Sequence, residues 1–162
     1  MEQQEHHGKK WLETLLSLMG FPAEVTVAYR ESEIGESDEC WLIINDAQLT
    51  PEQISLLIGE RGEGIDAIQY LANTLINLSV DDSQQQGFTI ELNGYRLQRY
   101  EELKAWTQQV AQQVRQTGRE VEMPSLSSAE RRQVHTFLQE VADLETESRG
   151  QEPDRRLVVK PR

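Results

Sequence analysis

The stretch LIGERGEGIDAIQYLANTLINL, Leu57 to Leu78, sets two glycines three apart, Gly59 and Gly62, between an apolar turn and a long amphipathic run. On its C-terminal side Ile65, Ile68, Leu71, Ala72, Leu75 and Ile76 keep helical spacing. Before it, Thr50, Pro51 and Gln53 supply a capping hydroxyl, a proline at the first helical position and the glutamine of a capping box. The pattern predicts a short helix, with Ile54, Leu57 and Ile58 inward, running directly into a Gly-Glu-Arg-Gly turn and then a second helix. Glycines at such a turn permit positive φ angles and the close approach of another backbone. The helix that follows points unpaired N–H groups and its positive dipole end at the loop, and Arg61 adds a cation. That combination suits a phosphate backbone. It equally suits a helix–helix corner with no ligand, and the loop alone favours neither.

Working outward, Leu12, Leu15, Leu16 and Met19 give one apolar face to a helix that Gly20 ends. Val25, Val27 and Tyr29 alternate as a strand, a charged turn around Gly35 follows, and CWLIIND supplies the second strand of a hairpin. Phe88, Ile90 and Leu92 alternate as a third strand. From Tyr95 a long helix turns Tyr100, Leu103, Val110, Ala111 and Val114 to one side and stops at Gly118, joining the two halves of the chain. Val121 and Met123 predict a short strand, and Ser127 with Glu130 a capping box opening a helix. That helix has Val134, Phe137, Leu138 and Val141 as its buried stripe. The tail, LETESRGQEPDRRLVVK, reads as a terminal hairpin.

The net charge is −12, but 12 of the 16 lysines and arginines lie in residues 91–162, where acidic residues balance them. A general polyanion binder is excluded, and any nucleic-acid surface is expected in that half or at a local loop. No apolar run approaches the length that spans a bilayer, and the acidic N-terminus lacks the pattern of a signal peptide. The single cysteine, Cys40, cannot form an internal disulfide and reads as a packing residue in a reducing compartment. The chain is therefore expected to be cytoplasmic. His6 and His7 sit near a terminus expected to fray. With His135 and one cysteine they give no zinc site and no nucleophile with a supporting base, so no catalytic or metal residue is expected. Gly59, Gly62 and Gly64 match no nucleotide-cofactor fingerprint, and no cofactor or small-molecule substrate is expected. Arg131 and His135 stand four apart on one helix face, predicted to be exposed, with Arg132 beside them. Such a face can bind phosphates or stack on bases, although an isolated Arg/His pair reads first as a solvated surface.

The order of elements, with the Gly-x-x-Gly loop between the second and third helices and a strand last, resembles a type II KH domain. In that domain the loop clamps about four nucleotides. The segments LLSLMGFPAEV, LIGERGEGIDAIQYLANTLIN and the run from Tyr95 through Gln139 resemble the bacterial Jag family, KhpB/EloR-like, over nearly the whole chain. Members pair a KH domain with an Arg-x-x-x-His domain that binds single-stranded nucleic acid. The resemblance implies an α+β fold: a type II KH domain (α-β-β-α-α-β) over residues 9–94 and a small α/β Arg-x-x-x-His domain over residues 95–162 that includes the connecting helix. The family's N-terminal Jag-N domain has no counterpart in this reading. By the same resemblance Gly59, Glu60, Arg61 and Gly62, with Arg131, Arg132 and His135, are the nucleic-acid-binding residues. The function implied is non-catalytic binding of single-stranded RNA, as a post-transcriptional regulator or RNA chaperone, with a second small KH protein as a further partner. Glu60 stands where the family usually carries a basic residue, and a carboxylate beside a phosphate weakens binding. Two alternatives follow: a protein-interaction module that recruits a KH partner with weak or no RNA binding, and a binder of single-stranded DNA.

Overall fold

The computed structural model describes residues 2–30 and 39–162. The chain divides into two compact units, Met1–Arg96 and Leu97–Arg162. The first is built from α1 (Glu2–Leu18), β1 (Val25–Arg30), β2 (Glu39–Ile44), α2 (Pro51–Ile58), α3 (Glu63–Leu75) and β3 (Phe88–Leu92). β1 runs antiparallel to β2 with Val27 opposite Leu42, and β2 runs parallel to β3 with Leu42 opposite Ile90. The turn expected around Gly35 lies outside the described residues. Parallel neighbours need a crossover, and between β2 and β3 the α2–α3 pair is that crossover. Thr50 and Gln53 form the capping box that starts α2.

Leu12, Leu16, Leu42, Ile65, Phe88 and Ile90 are at most 2% exposed and form the centre of this unit's core. α1 begins at Glu2, so the expectation of a frayed terminus is corrected: His6 and His7 are helical. Gly8 explains the docking, since a Cβ there would stand 2.8 Å from Phe88 Cε1 and would hold the helix off the sheet. Three expected core residues are largely exposed, Met19 at 43%, Leu71 at 42% and Leu75 at 45%. Met19 lies past the end of α1, and Leu71 and Leu75 line a groove with Trp11, Leu15 and Leu18 rather than entering the core. On Trp41 the Arg30 guanidinium lies 4.3 Å from the ring centre, and the Trp41 indole N–H donates to Glu39.

The free edge of β3 is closed by side chains of α3 spaced one turn apart. Phe88 N–H donates to Asn73 Oδ1 at 2.7 Å, and Asn73 Nδ2 donates to the Phe88 carbonyl at 3.0 Å. Asn77 makes the same pair of bonds to Gln86, and Ile90 N–H donates to Gln69 Oε1. Arg96 completes the closure: its Nε donates to the Ile90 carbonyl and its Nη1 to Asp66 at 2.6 Å. An unpaired strand edge invites pairing with another chain, and this one is occupied by amides instead.

The second unit takes α4 (Tyr95–Thr117), which starts two residues before it, then β4 (Val121–Met123), α5 (Ser128–Leu138), β5 (Leu144–Arg149) and β6 (Arg156–Pro161). The antiparallel sheet has the order β4-β6-β5, with the terminal hairpin in the register Arg149 opposite Arg156. Leu103, Val114, Met123, Val134 and Leu157 are at most 2% exposed in its core. Ser127 and Glu130 form the expected capping box. The same Glu130 carboxylate accepts from Arg99 Nε at 2.7 Å, which ties α5 to α4.

Asn73→Ala removes the partner of both Phe88 backbone groups and is expected to cost about 2 kcal/mol, since unmet backbone groups carry their desolvation penalty. Urea unfolding measures it, and an unchanged midpoint would show that the clasp adds nothing.

Candidate functional site

The turn between α2 and α3 is a single 3-10 turn over Glu60–Gly62, and Gly59, Arg61 and Gly62 have φ of 75°, 56° and 77°. Its glycines answer to neighbours within the chain. A Cβ on Gly62 would lie 2.1 Å from Tyr95 Oη, one on Gly59 2.7 Å from Gly64 N, and one on Gly64 2.5 Å from the Leu57 carbonyl. The expected room for an approaching ligand backbone at Gly62 is therefore corrected: that residue is buried, and the space beside it holds Tyr95. Glu60 and Arg61 are exposed at the tip, and Arg61 makes no ion pair among the described residues. Asp66, which follows in the first turn of α3, is paired with Arg96.

The second cluster lies where α5 meets the β5–β6 hairpin. Arg131, expected on an exposed face, is 6% exposed. It falls in register with Val134 and Leu138, so the helix turns it toward the core, and its polar head is satisfied there. Its Nη1 donates to the Leu126 carbonyl at 2.7 Å and more distantly to that of Arg155, while Nη2 pairs with the Glu152 carboxylate. Burying an arginine is tolerable only with such partners. Arg132 and His135 are exposed, as expected, and His135 Nδ1 meets the Thr146 hydroxyl.

Arg131, Arg132 and His135 line a hollow of about 400 Å³ with Ser128, Thr146, Ser148, Glu152, Arg155 and Leu157. Sequence reasoning missed the hairpin's share of it, Glu152 and Arg155 above all. The adjacent Arg155 and Arg156 are visible in the sequence, but only the strand register separates them: Arg156 pairs with Glu122, whereas Arg155 lines the hollow. Most other cations of this unit are held by carboxylates. Arg149 bridges Glu120 and Glu147, Lys160 joins Glu145 and Glu147, and Arg115 pairs with Asp143. The hydrogen bond from Arg149 holds the Glu120 and Glu147 carboxyls below the usual range, and that from Arg115 does the same to Asp143. Arg132 and Arg155 make no ion pair among the described residues, and both line the hollow. Two unpaired guanidiniums, hydroxyl donors and an imidazole converge there, a set suited to an anion with several oxygens.

This segment, with its Arg131-x-x-x-His135 core, is what comparison picks out. Residues 101–161 match the Arg-x-x-x-His domain family. The chain as a whole is similar to proteins named RNA-binding protein KhpB. It is 28% identical to that of Clostridium symbiosum over 93% of its own length, and 27% identical to that of Bacillus subtilis over the same share. It is 29% identical to that of Streptococcus pneumoniae serotype 2 over 85% of its length. The chain spans 63%, 67% and 43% of those three proteins. The domain match and these relatives together support kinship with the Jag/KhpB proteins, in line with the resemblance. Among the described residues no group of three His, Cys, Asp or Glu side chains is placed to hold a metal ion, and no helix is long and apolar enough to cross a membrane.

The neighbours Arg131 and Arg132 are expected to part ways on truncation. Arg131→Ala leaves the Leu126 carbonyl and Glu152 without their donor and costs about 1–3 kcal/mol. Arg132→Ala stays within about 0.5 kcal/mol of wild type. Thermal melts of the two variants check this, and equal melting points would refute the anchoring role.

Proposed function

We propose that this chain is a non-catalytic, cytoplasmic RNA-binding protein that holds single-stranded RNA at the hollow beneath α5 and at the tip of the α2–α3 turn. The observation that carries the proposal is the hollow itself, two unpaired arginines and His135 converging in a segment that matches a nucleic-acid-binding domain family. The names of the relatives support RNA as the ligand. Arg132, Arg155 and His135 make the contacts to phosphate and base, with Arg131 positioning the hollow from behind.

In this reading the first unit is a type II KH domain. Its element order, its antiparallel β1–β2 and parallel β2–β3 pairings, and the Gly-x-x-Gly turn in the crossover support that assignment. Arg61 is the cation of the loop, Gly59 and Gly62 shape it, and Glu60 keeps its grip weak. The cellular role is post-transcriptional regulation or RNA chaperoning. A second reading, recruitment of a small KH partner, is favoured by one observation: the apolar groove of about 490 Å³ lined by Trp11, Leu15, Leu18, Leu71 and Leu75.

Fluorescence anisotropy with a short mixed-sequence single-stranded RNA, at two salt concentrations, tests the proposal. Arg132→Ala is expected to weaken binding several-fold and to reduce the slope of log K against log salt by about 0.7, the share of one phosphate contact on a single strand. Arg61→Asn, which keeps a residue tolerant of the left-handed conformation, removes the loop cation with a smaller loss. Absence of wild-type binding at low salt would sink the RNA reading and leave the partner-recruiting module.

A further inference from the structure

We infer that Glu152 is a resident stand-in for phosphate: its carboxylate fills the anion position on the outward side of Arg131, and a bound phosphate takes that position by displacing it. This inference rests on the hollow being the RNA site. Arg131 and Glu152 form an unequal pair, for the arginine side chain is 7% exposed and the glutamate 61%. The guanidinium is fixed by the Leu126 and Arg155 carbonyls and by the packing of its stem, so it has no other place to go. A buried guanidinium requires a partner at all times. Glu152 sits on the turn between β5 and β6, and its side chain can swing into water at little cost. The cation is thus built in and its anion is exchangeable.

The surroundings point the same way. Arg132 and Arg155 line the hollow without ion pairs among the described residues, and the Ser128, Thr146 and Ser148 hydroxyls complete the lining. A single carboxylate leaves most of these donors unused, whereas a phosphodiester carries enough oxygens to meet Arg131, Arg132 and Arg155 together. Glu152 therefore sets the affinity of the site. It lowers binding of isolated anions and leaves an advantage to a chain of phosphates that also engages neighbouring groups.

The test compares wild type with Glu152→Gln and Asp154→Asn in the full chain. The Glu152→Gln variant keeps a side-chain oxygen that accepts from Arg131, so the turn stays tied while the charge is gone; Asp154→Asn removes a charge from the same turn without touching Arg131. Two probes are titrated: a short single-stranded RNA by anisotropy, and pyrophosphate by NMR of His135 and the arginine side-chain N–H groups. Glu152→Gln is expected to bind both probes roughly three- to tenfold more tightly than wild type, and its RNA binding to gain about 0.7 in salt slope. Asp154→Asn is expected to shift either affinity less than about twofold, as a charge outside the contact does when salt screens it. If Glu152→Gln binds neither probe more tightly than Asp154→Asn does, Glu152 is only a clamp on the turn and the inference falls. If no protein binds RNA but Glu152→Gln still tightens pyrophosphate, the RNA reading falls and the anion position stands.

Discussion

The first unit depends on how little room its α2–α3 turn leaves. Two parallel neighbours, β2 and β3, must be joined by a crossover, and here two helices meet across a single tight turn. At Gly59, Gly62 and Gly64 a Cβ would strike Gly64 N, Tyr95 Oη and the Leu57 carbonyl. The turn is fixed by sterics before any ligand is considered. Its consequence is that Glu60 and Arg61 are held out at the tip on a rigid base, with Arg61 itself in a left-handed conformation. A loop pre-set in this way loses little entropy on meeting a partner.

A second constraint organises the other unit: the allocation of charge. Arg149, Lys160, Arg156 and Arg115 are each satisfied by carboxylates of the same unit. Arg131 is drawn into the interior by its place in the α5 stripe and is held by carbonyls and Glu152. What remains unpaired in the hollow, among the described residues, is Arg132 and Arg155, brought together from a helix and a hairpin. A chain with a net charge of −12 can thus carry a local cationic site, because contact cations and not the total decide attraction for a phosphate.

The two constraints also separate positioning from contact. Gly62 and Arg131, both expected to meet the ligand, are buried and serve the shape of their sites. Arg61, Arg132 and His135 are the expected cationic and imidazole groups that stand in solvent. Asn73, Asn77 and Gln69, which drew no attention as a polar series on one helix, seal the β3 edge. Their spacing of four was available in the sequence, but polar residues on a helix ordinarily read as its solvent face.

The sequence by itself determined the elements and their ends. Hydrophobic spacing, the capping boxes at Thr50 and Ser127, and the stops at Gly20 and Gly118 are local signals, written within a few residues of where they act. It also placed Arg131, Arg132 and His135 on one helix. The tertiary structure alone decided which faced water and which faced the core, because that depends on the β5–β6 hairpin packing against α5. It alone brought Glu152 and Arg155 to that helix, since strand register sets which side chains share a face. Exposure and pairing are properties of neighbours distant in the chain, and spacing along one helix cannot encode them.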